Sequence, residues 1–233
     1  MQGDFKSHLE FLSKSLDISE WFMYYIYDRN GILSHKKGED DMARSFTERE
    51  KENIKKSLQD ACKQSWTQYG YKKTSVDDLC KQVGISKGAF YLFFESKEAL
   101  FCEVLCSVQE QICIVASKVI EKHKDKYGVA EALKLIYREY DKNNFLYDSD
   151  STDFTILMNK LSEEQAKKIE ESNKMSQQLF FSQAYLKFKV DADLAMSVIY
   201  SLIMNVKNKD ILPHNHMETF DFMVDHLIES IYE

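Results

Sequence analysis

The chain has 233 residues, 44% hydrophobic and 30% charged, the balance of a globular protein of one large or two small domains. A single proline, Pro213, and seven glycines are too few for the many turns of an all-β protein, so the composition points to an all-α fold. The net charge of −7 argues against a uniformly basic nucleic-acid binder, but the charge is uneven: residues 44–101 hold 11 Lys and Arg against 8 Asp and Glu, and the remainder hold 20 against 30.

Residues 1–41 form an N-terminal extension of open structure. Phe5, Leu9, Leu12 and Leu16 make a narrow apolar stripe at helical spacing. The aromatic run Trp21–Tyr27, with Asn30-Gly31 behind it, suits either a hairpin or a second short helix. The acidic balance of this extension, 5 Lys and Arg against 8 Asp and Glu, disfavours a DNA-gripping arm, and Met42-Ala43-Arg44 resembles an alternative start.

From Phe46 the signals sharpen. Thr47 with Glu50 has the spacing of a capping box, and Ile54, Leu58, Ala61, Cys62, Trp66 and Tyr69 follow at helical intervals until Gly70, predicting a helix over 47–69. Ser75 caps a short helix carrying Val76, Leu79 and Val83, which Gly84 ends. Ser86 caps the next, with Phe90, Tyr91, Phe93 and Phe94, and Ser96 a longer one over 97–122. Further helices are expected near 129–143, 151–161, 163–188, 191–208 and 216–232, with Ser162/Gln165 and Asn215/Glu218 marking two of the starts.

Residues 74–93 have the layout of a helix-turn-helix. Leu79, Val83, Ile85 and Phe90 can pack two short helices together across the turn at Gly84. Ser86-Lys87-Gly88-Ala89 leaves the start of the second helix small and polar, so that its backbone can approach base edges. Glycine is costly inside a helix, so Gly88 suggests close approach to something. Phosphate contacts are expected from helix starts and flanking donors: Thr74, Ser75, Tyr91 and Lys97. A small three-helix bundle without a DNA role has the same pattern, because fold does not dictate function.

The run Thr74-Ser75-Val76-Asp77-Asp78-Leu79 through Gly84-Ile85-Ser86-Lys87-Gly88-Ala89-Phe90-Tyr91 to Ser96-Lys97-Glu98-Ala99-Leu100 resembles the signature of the tetracycline-repressor (TetR) family, over roughly residues 47–105. Cys80 and Val83 stand where that family usually has alanines, and Trp66 where it usually has phenylalanine. The resemblance implies a DNA-binding domain over 45–105 and a helical effector-binding and dimerisation domain over 106–233. It places the DNA contacts on Thr74, Ser75, Ser86, Lys87, Gly88, Ala89, Tyr91 and Lys97.

It also implies a homodimer on a double-stranded DNA operator, with a small-molecule effector of unknown identity. Tyr137, Tyr140, Phe154, Met158, Met175, Phe181 and Tyr185 are candidates for the effector pocket, and each taken singly suits plain core better. The stripes Val198, Leu202, Val206 and Phe220, Met223, Leu227, Ile231 are candidates for a dimer interface formed by the last two helices; the other reading of both is intramolecular core. The function implied is a ligand-responsive repressor. The alternative is a helical protein-interaction module without DNA binding.

No enzyme is expected, because no nucleophile elbow, phosphate loop, paired His-Glu metal motif or dinucleotide fingerprint is present. No cofactor or metal is expected either: Cys102, Cys106 and Cys113 on one helix, and His214, His216 and His226, lack zinc spacing. No run of about 18 consecutive apolar residues marks a membrane span, and no basic start leads into an apolar core. With an odd count of five cysteines, the expected setting is the reducing cytoplasm.

Overall fold

The computed structural model describes residues 46–178 and 186–233, without the side chains of Met175 and Gln177. The extension 1–41, its stripe and its hairpin-or-helix segment therefore lie outside the described residues, as do Phe181, Tyr185 and the side chain of Met175. Among the described residues the fold is all-α. Helices α1 (Glu48–Lys73), α2 (Val76–Val83) and α3 (Lys87–Phe90) make the head. They are followed by α4 (Lys97–His123), α5 (Lys126–Lys142), α6 (Thr152–Met158), α7 (Glu163–Gln178), α8 (Ala192–Met204) and α9 (His216–Ile231). Short 3-10 turns at Asn144–Leu146 and Asn205–Ile211 link neighbouring helices.

The local start signals act as their chemistry dictates. Thr47 Oγ1 accepts from Glu50 N–H while the Glu50 carboxylate accepts from Thr47 N–H, satisfying two otherwise orphaned donors. Ser75, Ser86 and Ser96 accept from Asp78, Ala89 and Ala99 N–H at 3.1, 3.1 and 3.0 Å. Ser162 and Gln165 exchange the same reciprocal pair at the start of α7, and Asn215 caps α9.

Several boundaries differ from the periodicity. α5 begins at Lys126 rather than 129, because Lys124 turns the chain (φ 52°) and Asp125 caps the new helix through Gly128 N–H at 2.8 Å. α6 closes at Met158, short of 161. The helix predicted to reach 188 does not: Phe188 pairs with Tyr232 in an isolated antiparallel bridge, and Lys189 N–H donates to Ile231 O at 2.8 Å. α8 tightens into 3-10 geometry after Met204 instead of running on to 208.

α4 organises the core. It packs against α1, α5 and α7, and α5 packs in turn against α9. By length and composition alone α4 is apolar enough to cross a membrane, with a mean hydropathy of 1.6 over 18 residues. In the fold its apolar face is covered instead: Leu100, Phe101, Leu105, Ile112, Ala116 and Ile120 are all buried. Trp66 of α1 stacks on Phe145 at 4.4 Å and contacts Phe101 at 4.7 Å, which ties the head to the following helices. All five cysteines are buried, and none forms a disulfide.

Two sets of expected contact residues need correction. Leu202, Val206, Phe220 and Ile231 are buried within one chain, so they are core and not partner surface. The apolar periodicity found the inward face of each helix, which a single protomer already covers. Tyr137 is likewise core: its ring stacks on Phe220 at 3.7 Å and its hydroxyl meets His216 Nδ1 at 3.2 Å.

Candidate nucleic-acid interface

The head is shaped by two backbone breaks. Gly70 sits inside α1 with φ 81°, and Gly84 closes α2 in the left-handed region with φ 78°, a conformation that costs a Cβ-bearing residue about 1 kcal/mol or more. Gly84 and Ile85 N–H both donate back to Cys80 O, at 2.9 and 3.0 Å, which ends α2 and aims α3 away from it. Leu79 and Phe90 are fully buried between them.

α3 is one helical turn, and the coil continues past it. Leu92 N–H donates to Ala89 O, Phe93 to Phe90 O and Phe94 to Phe90 O at 3.1, 2.9 and 3.1 Å. Phe90 and Phe94 are buried, whereas Ser86, Lys87, Gly88, Tyr91 and Leu92 are exposed and Ala89 is half-buried. A Cβ added at Gly88 would meet nothing nearer than Ser86 Oγ at 3.9 Å. Among the described residues no neighbour requires the missing side chain, and the open space lies on the outward face.

The charges around this face are partly engaged. Lys87 Nζ lies 3.1 Å from Asp77 Oδ2, and this pairing holds the ammonium above its ordinary pKa. Ser75 Oγ donates to Asp78 Oδ2 at 2.6 Å and lowers that carboxyl's pKa. Lys72, Lys73 and Lys81 are exposed around the same helices. The Lys72-Lys73 doublet was missed by the motif reading, although it directly precedes Thr74 and Ser75.

Two expected phosphate donors are turned inward. Thr74 is buried, and its hydroxyl donates to Gly70 O at 2.8 Å. Lys97 Nζ donates to Tyr71 O at 2.5 Å and lies 3.9 Å above the Tyr71 ring. Burial pushes its pKa below the usual lysine value. Tyr71 in turn donates its hydroxyl to Glu98 and its N–H to Asp153, and Lys72 N–H reaches Asp153 Oδ1 at 3.0 Å. These contacts join the end of α1 to α4 and α6.

Residues 58–104, which hold the helix-turn-helix and the Tyr71–Lys97 contact, match the family model for bacterial regulatory proteins of the tetR family. This segment is similar to the DNA-binding segment of the tetR family. The chain is also similar to an uncharacterized HTH-type transcriptional regulator, YhgD, of Bacillus subtilis (strain 168): 36% identical over 67 residues. That match takes in 29% of this chain and 35% of the relative, so the chain spans about a third of that protein's length. The likeness in fold extends further. The fatty acid degradation regulator FadR from Bacillus halodurans superposes with a TM-score of 0.57 at 16% identity, covering 75% of this chain and 94% of that one. FadR from Bacillus subtilis, in complex with stearoyl-CoA, gives 0.54 at 18% identity, covering 76% and 98%. At these identities the fold is what is shared.

The expected effector residues are spread over the body. Tyr140 of α5 and Phe154 and Met158 of α6 are half-buried and pack against the core. A groove of about 420 Å³ lies elsewhere, between α1 and α4, and is lined by charged and polar residues including Lys55, Gln59, Lys63 and Glu103.

Proposed function

We propose that the protein is a sequence-specific DNA-binding transcriptional regulator, a repressor that acts as a homodimer in the cytoplasm and is released from its operator by a small molecule. The observation that carries this reading is the outward face of the recognition turn. Lys87, Gly88 and Tyr91 lie exposed at a helix start, the inner residues are buried, and among the described residues nothing covers the open side of Gly88. Ser75, Ser86, Lys87, Gly88, Ala89 and Tyr91 are the proposed contacts, with Lys72 and Lys73 as added phosphate donors. Lys97 serves through its backbone N–H at the start of α4, and Thr74 by setting the entry into α2, since their side chains are engaged internally.

The proposed dimer surface is the exposed side of α8 and α9. Leu194 and Phe222 are 53% and 65% exposed, and Val198, Met223 and Leu227 stand half-buried beside them. These two helices pack against each other, so their outer residues form one face. A two-fold axis there would set two recognition turns about one DNA turn apart, roughly 34–36 Å. Tyr140, Phe154, Met158, Met175, Phe181 and Tyr185 remain the proposed effector contacts. The stearoyl-CoA bound by the Bacillus subtilis FadR makes acyl-CoA thioesters the first compounds to test.

The test is selection of binding duplexes from a randomised pool by the full-length protein, followed by gel shift. The reading expects one enriched sequence with two-fold symmetry, bound more weakly by Lys87→Ala. Enrichment of no sequence would overturn it.

A further inference from the structure

One residue on the recognition face contributes little to folding. Leu92 is 73% exposed, more than Tyr91 beside it at 52%. A single exposed leucine is ordinary on a protein surface. Its position sets this one apart. Gly88, Tyr91 and Leu92 stand at i, i+3 and i+4, spacings that share one side of a helical coil, and the Leu92 N–H to Ala89 O bond keeps the coil intact to that point. Leu92 thus stands exposed next to Tyr91 and one turn beyond Gly88, on the face that the proposed function turns toward the major groove.

A leucine side chain has no donor and no acceptor. It cannot read the N7, O6, O4 or amino groups that distinguish most base edges. The one apolar projection in the major groove is the 5-methyl group of thymine. We propose that Leu92 is a specificity-determining residue that packs on a thymine 5-methyl group, while Lys87 and Tyr91 supply the polar contacts around it. This rests on the DNA-binding reading and adds the base to which one residue answers.

Deoxyuridine tests it directly, because it keeps every hydrogen-bonding group of thymine and lacks only the methyl. Thymines of a duplex selected by the full-length protein are replaced one at a time by deoxyuridine, and affinity is measured by fluorescence anisotropy at fixed salt. One position in each half-site should lose affinity by about fourfold, the factor for burying one methyl group at ~0.8 kcal/mol. Leu92→Ala, which alters both protomers of the dimer, should weaken the thymine duplex by about the square of that factor, roughly fifteenfold, and leave no difference between thymine and deoxyuridine at that position. Its urea midpoint should stay at the wild-type value, since the side chain is exposed. Tolerance of deoxyuridine at every position, or a thymine preference that persists in Leu92→Ala, overturns this inference while leaving the DNA-binding reading in place. Failure to select any duplex overturns both.

Discussion

Lys87 of the recognition turn and Asp77 of α2 face each other across the helix-turn-helix, Nζ to Oδ2 3.1 Å, with both side chains a little more than half exposed. A phosphate or base edge approaching Lys87 must compete with that carboxylate. In Asp77→Asn the ammonium is released and one negative charge leaves the interface. Affinity for all duplexes should rise by a few fold, and the salt dependence should steepen. Stability should be little changed, because exposed ion pairs contribute little. Anisotropy titrations at several salt concentrations, with urea unfolding alongside, check both parts.

Two glycines make opposite predictions. Gly70 has φ 81°, and a Cβ there would stand 2.6 Å from Asp153 Oδ2, the carboxylate that holds the Tyr71 and Lys72 N–H groups. Gly70→Ala should cost more than about 1 kcal/mol in urea unfolding. Gly88 is helical and open, so Gly88→Ala should leave stability unchanged or raise it by roughly 0.5–1 kcal/mol. The same change should weaken operator binding, because the added methyl stands on the face proposed to meet DNA. A Gly88→Ala protein that binds as well as wild type would remove the reason given for this glycine.

The two faces of α9 separate core from partner surface. Phe220 is fully buried and stacked on Tyr137, so Phe220→Ala should destabilise the fold by about 3–5 kcal/mol. Phe222 is 65% exposed, and Phe222→Glu should leave the protomer folded and shift sedimentation velocity from dimer to monomer. A dimer of unchanged strength in Phe222→Glu would place the interface elsewhere.

Tyr140 has its pKa raised by burial to about 12, and Tyr137 similarly to about 12. In the unfolded chain a tyrosine titrates near 10. A raised folded value means that the stability contribution is fully present below about pH 10 and is lost as pH rises toward 12. Urea unfolding should therefore weaken across that window. In Tyr140→Phe the decline should be shallower, by up to about 1.4 kcal/mol per pH unit. Identical slopes for the two proteins would show that Tyr140 is not held neutral by its surroundings.

What could be read from sequence depends on how far apart the partners lie. Thr47, Ser75, Ser86 and Ser96 cap helices through groups three residues away, so their roles were legible, as was the left-handed turn at Gly84. The Asp153 clamp on Tyr71 joins groups 82 residues apart and leaves no local pattern. Lys97 is part of the same problem. It opens α4 as its position implies, yet its ammonium turns to the Tyr71 carbonyl that the break at Gly70 presents. Periodicity located the apolar stripes of α8 and α9 but could not say whether Leu202 or Phe220 faced a partner or its own core. The end of the helix after Glu163 was missed because Phe188 is held by Tyr232, at the far end of the chain.

The central claim is that the outward face of Lys87, Gly88 and Tyr91 reads a DNA sequence. The most direct test is the ratio of affinities of the full-length protein for its selected duplex and for a scrambled duplex of the same composition, at one physiological salt concentration. The account predicts a preference on the order of 10³ or more, reduced by Lys87→Ala. Equal affinity for the two duplexes would contradict it.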